Sequence, residues 1–148
     1  MKHFVTLCSS LCFLMTACVT THTPPVPARS GTLTGDELLI QGAWVVIHNE
    51  MSRIALPEME GRVHIYSGRQ FRLDTDTRGE PFRIDEQCDP KRIDFDDGHR
   101  PLIRGIYRLE GDRLTVFIGA PGHSRPTAFE TRIGDQSVLM ILQRAPAK

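Results

Sequence analysis

The 148-residue sequence lacks an excess of charge of either sign, and this excludes the simplest electrostatic functions. Its 18 basic and 18 acidic side chains give a formal net charge of zero. Proteins that bind many phosphates need clustered lysine and arginine, whereas the 15 arginines and 3 lysines here are spread singly along the chain. Nucleic acid is therefore not an expected partner. The 40% hydrophobic content also excludes a disordered chain.

Motifs of well-known chemistries are missing as well. The sequence has no nucleophile elbow, phosphate-binding loop or dinucleotide fingerprint. His123 and Ser124 are adjacent, but neighbours in sequence do not usually present a base to a nucleophile. The acidic stretch that begins at Asp94 has Gly105, not glutamate, at the twelfth position of a calcium loop. We expect no catalytic residue, metal or cofactor; the alternative is a zinc site assembled in space from dispersed histidines and Cys88.

Cysteines are few, and three of the four lie near the amino terminus. Residues 4–17 form an apolar run of 14 residues, shorter than the ~20 that span a membrane as a helix and typical of an export signal. Residues 14–18 (Leu-Met-Thr-Ala-Cys) resemble the bacterial lipobox, whose cysteine is acylated and becomes the first residue of the mature protein. We predict a lipoprotein signal peptide at 1–17 and a lipidated Cys18; the alternative is an ordinary secretory signal.

The segment after Cys18 predicts a tether on a membrane surface. Residues 18–35 are rich in threonine and proline, and such a segment extends to about 50 Å. Several acyl chains on Cys18 would hold the protein durably to the membrane. By resemblance to Gram-negative lipoproteins, Val19 in place of aspartate favours the outer membrane over the inner, with the protein facing the periplasm. Cys88 then has no disulfide partner, and we interpret it as an inert thiol beside carboxylates, which raise its pKa.

Residues 36–148 are predicted to form one all-β domain after a short helical turn. Thr34 and Glu37 have capping-box spacing, and the turn should end by Gly42. Apolar and polar residues then alternate with period two, and glycine-containing turns follow about every ten residues, which is typical of a sandwich or barrel. Thirteen large apolar residues are expected to face inward: Val63, Ile65, Phe71, Leu73, Phe82, Ile84, Ile93, Phe95, Tyr107, Leu109, Leu114, Val116 and Ile118.

The first and last strands are predicted to pair and close the barrel. Residues 44–47 and 138–142 are apolar on both faces, so both need cover on the outer side. Pairing them removes the sheet edges. We expect residues 38–40 to lie over their shared outer surface, and His48, which continues the alternation of Trp44 and Val46, to face the interior.

Several segments carry a resemblance to a known family. Gly42-Ala43-Trp44 looks like the Gly-x-Trp signature of lipocalin-type barrels. In order along the chain, the matching segments are IQGAW (40–44), FRID (82–85), DPKRID (89–94), GIYRLEGDRL (105–114), PGHSRPTAF (121–129) and LQR (142–144). Together they resemble an uncharacterised lipocalin-like domain family of planctomycete extracytoplasmic proteins, which has no established activity.

The resemblance implies a fold and a closing contact. The expected fold is a small antiparallel lipocalin-like β-barrel of about 8–9 strands with a short N-terminal helical turn. In lipocalin-type barrels an arginine of the final strand lies across the signature tryptophan. Gly42, Trp44 and Arg144 are therefore expected to close the barrel.

A loop rich in proline and glycine is the candidate binding loop. It contains Pro121, His123, Arg125 and Pro126, whose rings and polar groups suit a site at the barrel mouth. The alternative is that Arg125 pairs with a carboxylate while Pro126 starts a strand.

The predicted function is that of a non-catalytic, membrane-anchored bacterial envelope lipoprotein whose barrel is an interaction module for an envelope protein. The alternative is a carrier or sensor of a small apolar ligand. Thirteen large inward side chains favour a filled interior, with at most a shallow cleft near His48 and residues 121–126.

Overall fold

The computed structural model describes residues 31–96 and 98–146. The predicted signal peptide, Cys18 and most of the tether lie outside the described residues, so the predictions made for them stay predictions. No helix in the described part of the chain is long and apolar enough to span a membrane.

The described chain is built almost entirely of strands. One α-helix, α1 (Asp36–Leu39), precedes them, and a short 3-10 helix (Pro57–Met59) follows the second strand. The strands are β1 (Gly42–Met51), β2 (Ile54–Ala55), β3 (Val63–Ser67), β4 (Gln70–Leu73), β5 (Glu80–Asp85), β6 (Arg92–Phe95), β7 (Ile103–Glu110), β8 (Arg113–Ile118) and β9 (Val138–Arg144).

Eight of these strands form a closed antiparallel barrel. From β3 to β9 each strand pairs with the next, β1 pairs with β3, and β9 returns to pair with β1. The short β2 pairs only with the end of β1. Sequential pairing with closure is the up-and-down order found in lipocalins. The predicted fold class, including pairing of the first and last strands, is confirmed.

Large side chains fill the barrel. The ring of Tyr66 lies 5.3 Å from that of Phe71 and 5.1 Å from that of Phe82, and Phe71 lies 5.2 Å from Phe95. The first of these contacts is tilted and the other two are edge-on; ring contacts of these kinds at these distances are favourable as well as space-filling. The buried cluster also includes Ile40, Trp44, Val46, Ile93, Tyr107, Leu114, Val116, Met140 and Leu142.

The prediction for β3 is wrong by one residue. His64 and Tyr66 are buried in the interior, whereas Val63 and Ile65 lie half-exposed on the outer wall. Both faces of β3 carry residues that suit burial, so alternation alone does not decide which face points inward. Pairing decides it, because His64 lies opposite the inward-facing Trp44 of β1.

The prediction that His48 lines the barrel is also wrong. The pairing of β1 with β9 shifts between Val46 and His48, and an irregularity of this kind reverses the faces of the residues that follow it. Asn49 therefore takes the buried position. His48 stays partly exposed, with its Nε2 atom 3.7 Å from the Glu50 carboxylate.

The helical turn exists, but its cap and its position differ from the prediction. The N-cap residue is Gly35 and receives no side-chain hydrogen bond; the Asp36 amide instead donates to the Glu86 carboxylate at 2.8 Å. Leu38 and Leu39 are 58% and 57% exposed, whereas Ile40 is buried in the barrel core. Helix α1 therefore plugs one end of the barrel and does not cover its outer wall.

Candidate functional site

The contact that the resemblance implies at the closed end of the barrel is present. The guanidinium of Arg144 lies 4.2 Å from the centre of the Trp44 ring, and these two residues are opposite each other in the pairing of β1 with β9. Arg144 also donates hydrogen bonds of 2.8 Å and 2.9 Å to the backbone carbonyls of Leu39 and Gln41. The Trp44 indole donates to the Ile40 carbonyl at 2.8 Å. One arginine thus links the last strand, the first strand and α1.

Gly42 enters β1 with a backbone conformation that favours glycine. Its φ of 108° lies in the region that residues with a side chain rarely adopt. A Cβ atom there would lie 3.6 Å from the Arg144 guanidinium, which is ordinary contact. The requirement for glycine therefore comes from the backbone turn between α1 and β1.

A partly buried polar cluster fixes α1 to the barrel. The Asp36 carboxylate accepts hydrogen bonds from the Lys91 ammonium at 2.7 Å and from the Tyr107 hydroxyl at 2.8 Å. Burial raises the pKa of Tyr107, and the hydrogen bond to Asp36 raises it further. These groups satisfy one another at the sealed end of the barrel. These hydrogen bonds hold α1 against the end of the barrel.

Residues 119–137, which we call the strap, join β8 to β9 across the outside of the barrel. At one end, Arg125 forms a two-pronged ion pair with Asp94 of β6, with distances of 2.5 Å and 2.9 Å. The same guanidinium donates to the Gly105 carbonyl at 2.7 Å. The pairing of Arg125 with a carboxylate is confirmed. Pro126 starts no strand within the described residues, so that part of the alternative is wrong.

The other end of the strap is held by the turn between β1 and β2. Thr131 is buried, and its hydroxyl donates to the Glu50 carboxylate and accepts from the Arg53 amide. The Arg53 side chain pairs with Glu130 at 2.9 Å. The strap therefore crosses from β6 to β1 before it returns to β9.

The predicted cover of the outer surface of β1 and β9 by residues 38–40 is wrong; the covered part of the outer wall is on β7 and β8, and the strap lies over it. Ile106 of β7 and Phe117 of β8 are opposite each other in the sheet and face away from the interior, yet they are only 1% and 3% exposed. Phe129 of the strap lies on the same wall, with its ring 4.8 Å from the Arg108 guanidinium. The buried outer surface is therefore on β7 and β8.

A cleft of about 630 Å³ opens between the strap and the barrel wall. Phe117 and Ala120, both buried, lie at its base. Three residues of the candidate loop line this cleft: His123, Arg125 and Pro126. Pro121 of the same loop does not line it, and neither does His48, which was expected near a cleft. The loop thus borders a cleft on the outer wall and not the mouth of the barrel, because the strap folds back over β8.

The charged side chains that line the cleft differ in whether they have hydrogen-bond or ion-pair partners. Glu130 is paired with Arg53, and the Asp135 carboxylate accepts the backbone amides of Arg132 and Ser137 at 3.1 Å and 3.3 Å. The Arg132 guanidinium, in contrast, has no hydrogen bond or ion pair with any residue that the structure describes. The cleft therefore presents an available positive charge.

The end of the barrel opposite α1 holds two buried polar atoms without a hydrogen-bond partner among the described residues. They are Oδ1 of Asn49 and Nε of Arg62. Asn49 follows the bulge of β1, and Arg62 immediately precedes β3. His64 lies deeper, and burial lowers its pKa to about 4. Sequence alternation did not place Asn49 inside because the bulge reverses the pattern locally.

The remaining candidate metal-binding or reactive residues from the sequence make hydrogen bonds or ion pairs with other protein groups. The Cys88 thiol donates to the Asp85 carboxylate at 3.2 Å, and this hydrogen bond raises its pKa, as predicted. Asp94 binds Arg125, and Asp96 accepts the Gly98 amide at 3.0 Å. Within residues 31–96 and 98–146, no group of three histidine, cysteine or acidic side chains is placed to hold a metal ion.

The fold and these sites define a closed eight-stranded antiparallel barrel with a plugged end and an external strap. Comparison with protein families, with curated proteins and with solved structures found no match.

Proposed function

We propose that the protein is a non-catalytic lipoprotein of the bacterial envelope whose barrel acts as an interaction module. In this proposal Cys18 carries the lipid, residues 18–35 are the tether, and the barrel faces the periplasm, at the outer membrane. The resemblance to extracytoplasmic lipocalin-like domains supports the location. The interior and the outer wall of the barrel supply the support for an interaction function.

The observation that carries the proposal is the contrast between the filled interior and an uncovered apolar wall outside. Inside, the aromatic rings are in contact with one another. Outside, Val45 pairs with Val63, Ile65 lies on the same face, and Ile47 is 45% exposed. We call these four residues the outer apolar patch. Exposed apolar patches of this kind mark interaction surfaces.

A photo-cross-linking experiment in the native envelope tests this proposal. A benzophenone amino acid replaces Ile47 in one variant and Glu110, an exposed polar position at the end of β7, in the control. We expect a discrete protein adduct from position 47 and none from position 110. Identical adduct patterns at both positions, or no adduct at position 47, would contradict the proposal.

The buried polar atoms at the end of the barrel opposite α1 favour a second candidate, a carrier of a small ligand. Asn49 Oδ1 and Arg62 Nε have no hydrogen-bond partner among the described residues, although Arg62 Nε lies 4.0 Å from an Asp74 carboxylate oxygen, and buried polar atoms without hydrogen bonds are costly unless something satisfies them. A ligand with a polar head could bond there and extend an apolar body inward. The filled interior ranks this candidate second; a ligand that co-purifies with the wild-type protein and is lost on Asn49→Leu would reverse the order.

A further inference from the structure

We propose that the cleft beneath the strap is a binding site for a small ligand that combines an apolar body with a carboxylate. The site goes beyond the proposed interaction module because it lies over β8, whereas the outer apolar patch lies on β1 and β3. It is also separate from the barrel interior. A ligand here requires no opening of the core.

The cleft is formed in advance of binding. Arg125 fixes one end of the strap to β6, and Thr131 fixes the other to the turn after β1. Just before the first anchor, the Arg104 guanidinium donates to the His123 carbonyl at 3.2 Å. A preformed site avoids the entropy cost of ordering a loop when the ligand binds.

One guanidinium in the lining is free to bind an anion. Arg132 lines the cleft without a partner among the described residues, whereas Glu130 and Asp135 are both engaged in hydrogen bonds with other groups. A guanidinium binds a carboxylate through two parallel hydrogen bonds, a geometry that an ammonium does not offer. Ser124 and Thr127 add hydroxyl donors to the same lining.

The base and the size of the cleft favour an apolar body attached to that carboxylate. Phe117, Ala120 and Ala128 supply apolar surface. The volume of about 630 Å³ falls in the range of roughly 300–1,000 Å³ that is usual for small-molecule sites. The ligand therefore has the size of a short aromatic or aliphatic acid or of a peptide's carboxyl end.

A titration with two matched probes tests the site. The full ¹⁵N-labelled chain is titrated with 3-phenylpropionate and, separately, with the neutral 3-phenylpropanamide, which keeps the apolar body and removes the charge. We expect 3-phenylpropionate to shift the signals of the strap amides and of the Arg132 Nε–H group. We also expect it to bind about tenfold more tightly than the amide, because a charge-assisted hydrogen bond replaces a neutral one.

Two arginine variants complete the test. Arg132→Gln should reduce the affinity for 3-phenylpropionate to that for the amide. Arg113→Gln, at an exposed position at the start of β8 outside the cleft, should leave the tenfold preference intact. Both residues are exposed, so the spectra of both variants should show an intact barrel. Equal affinity for the two probes, shifts confined to other regions, or an unchanged preference in Arg132→Gln would overturn the proposal.

Discussion

At the residue scale, Arg144 connects the first strand, the last strand and α1 at the closed end of the barrel. Its guanidinium stacks on Trp44 and donates to two carbonyls around the end of α1 and to the Asp112 carboxylate. A stacked and hydrogen-bonded guanidinium is planar and keeps several donors in fixed directions. Lysine would retain the charge but would lose the planar stacking on Trp44 and the set of fixed hydrogen-bond donors. Arginine is therefore required here for more than its charge.

Removal of the Arg144 side chain should therefore weaken closure. We expect Arg144→Ala to lower the free energy of unfolding by about 1–3 kcal/mol, from a lost cation–π contact and lost hydrogen bonds. Trp44 is the only tryptophan, so its emission should change as well. Urea unfolding followed by fluorescence measures both quantities, with Arg113→Ala as the matched control. An unchanged midpoint together with unchanged emission would show that the contact contributes nothing.

His64 is the residue most sensitive to pH inside the barrel. Burial lowers its pKa from 6.5 to about 4. Between these two pH values the imidazole is protonated in the unfolded chain and neutral in the folded protein. The neutral imidazole lies against Phe71, with 5.1 Å between ring centres. Protonation in place would leave a buried positive charge among apolar side chains.

Stability should consequently fall as the pH is lowered from 6.5 to about 4. Above this window His64 is neutral in both states and contributes no pH dependence. Below it the loss levels off, at up to about 3 kcal/mol. Chemical denaturation between pH 7 and pH 4 should show a smaller slope for His64→Leu than for the wild type. The exposed His123→Gln serves as the control; a wild-type slope in His64→Leu would contradict this assignment.

At the element scale, the strap behaves as a separate layer on a barrel that is closed without it. Its regular backbone hydrogen bonds are few, and side chains attach it at both ends. The pair of Arg125 with Asp94 is more sheltered than an exposed surface pair, since the two side chains are 22% and 28% exposed. Sheltered, two-pronged pairs contribute more than exposed ones.

Loss of this anchor should loosen the strap selectively. We expect Arg125→Met, which keeps an apolar stem, to speed hydrogen exchange of amides in residues 119–130 while those of β1 and β9 stay protected. The control is Arg100→Met, which removes a more exposed pair with Glu80 and should change little. Uniform deprotection of the barrel in Arg125→Met would show that the strap and the barrel unfold as one unit.

The strands differ in how well the sequence determines them. In β5 and β6, Phe82, Ile84, Ile93 and Phe95 alternate with charged residues, so the inward face is unambiguous and was predicted correctly. In β3 the outward residues are apolar and the inward His64 is polar, so the pattern indicates the wrong face. Such a strand is oriented by its neighbours, and pairing partners are not encoded in local periodicity.

The strap could not be predicted as a cover because its contacts are distant in sequence. Residues 119–137 have no helical or strand period, and their anchors are Asp94 and Glu50, far away along the chain. Only the outward Ile106 and Phe117, which the sequence analysis did not use, offered a signal that something covers β7 and β8. The local pattern of apolar residues identifies a strand face that must be buried, but it does not identify the segment that packs against that face. The candidate loop was recognised from its prolines and glycines, yet its position on the outer wall was not.

At the scale of the whole molecule, closure and the plug leave the barrel without a free edge over most of its length. Each barrel strand has two hydrogen-bonded neighbours, and α1 seals one end. Within the described residues, Cys88 is free, so no disulfide supports this domain. Stability therefore rests on the core and on the pairing of β1 with β9.

The lipid anchor on Cys18 is a prediction that belongs to the scale of the whole molecule. Because Cys18 is the only cysteine that follows a small residue at the end of the apolar run, Cys18→Ala should leave an unprocessed, unacylated precursor. Intact-mass analysis of the membrane fraction distinguishes the two forms. A wild-type mature chain that begins elsewhere and carries no lipid would refute the anchor without affecting the description of the barrel.

The central claim, that the barrel is filled and works through its outer surface, is tested most directly by native mass spectrometry of protein extracted from its own envelope. The account predicts the mass of the mature chain with any lipid on Cys18 and no further stoichiometric apolar ligand. A ligand bound at one copy per chain in the wild type and equally in Arg132→Gln, retained under native conditions and lost in Asn49→Leu, would lie in the interior; it would contradict this claim and would make the protein a carrier.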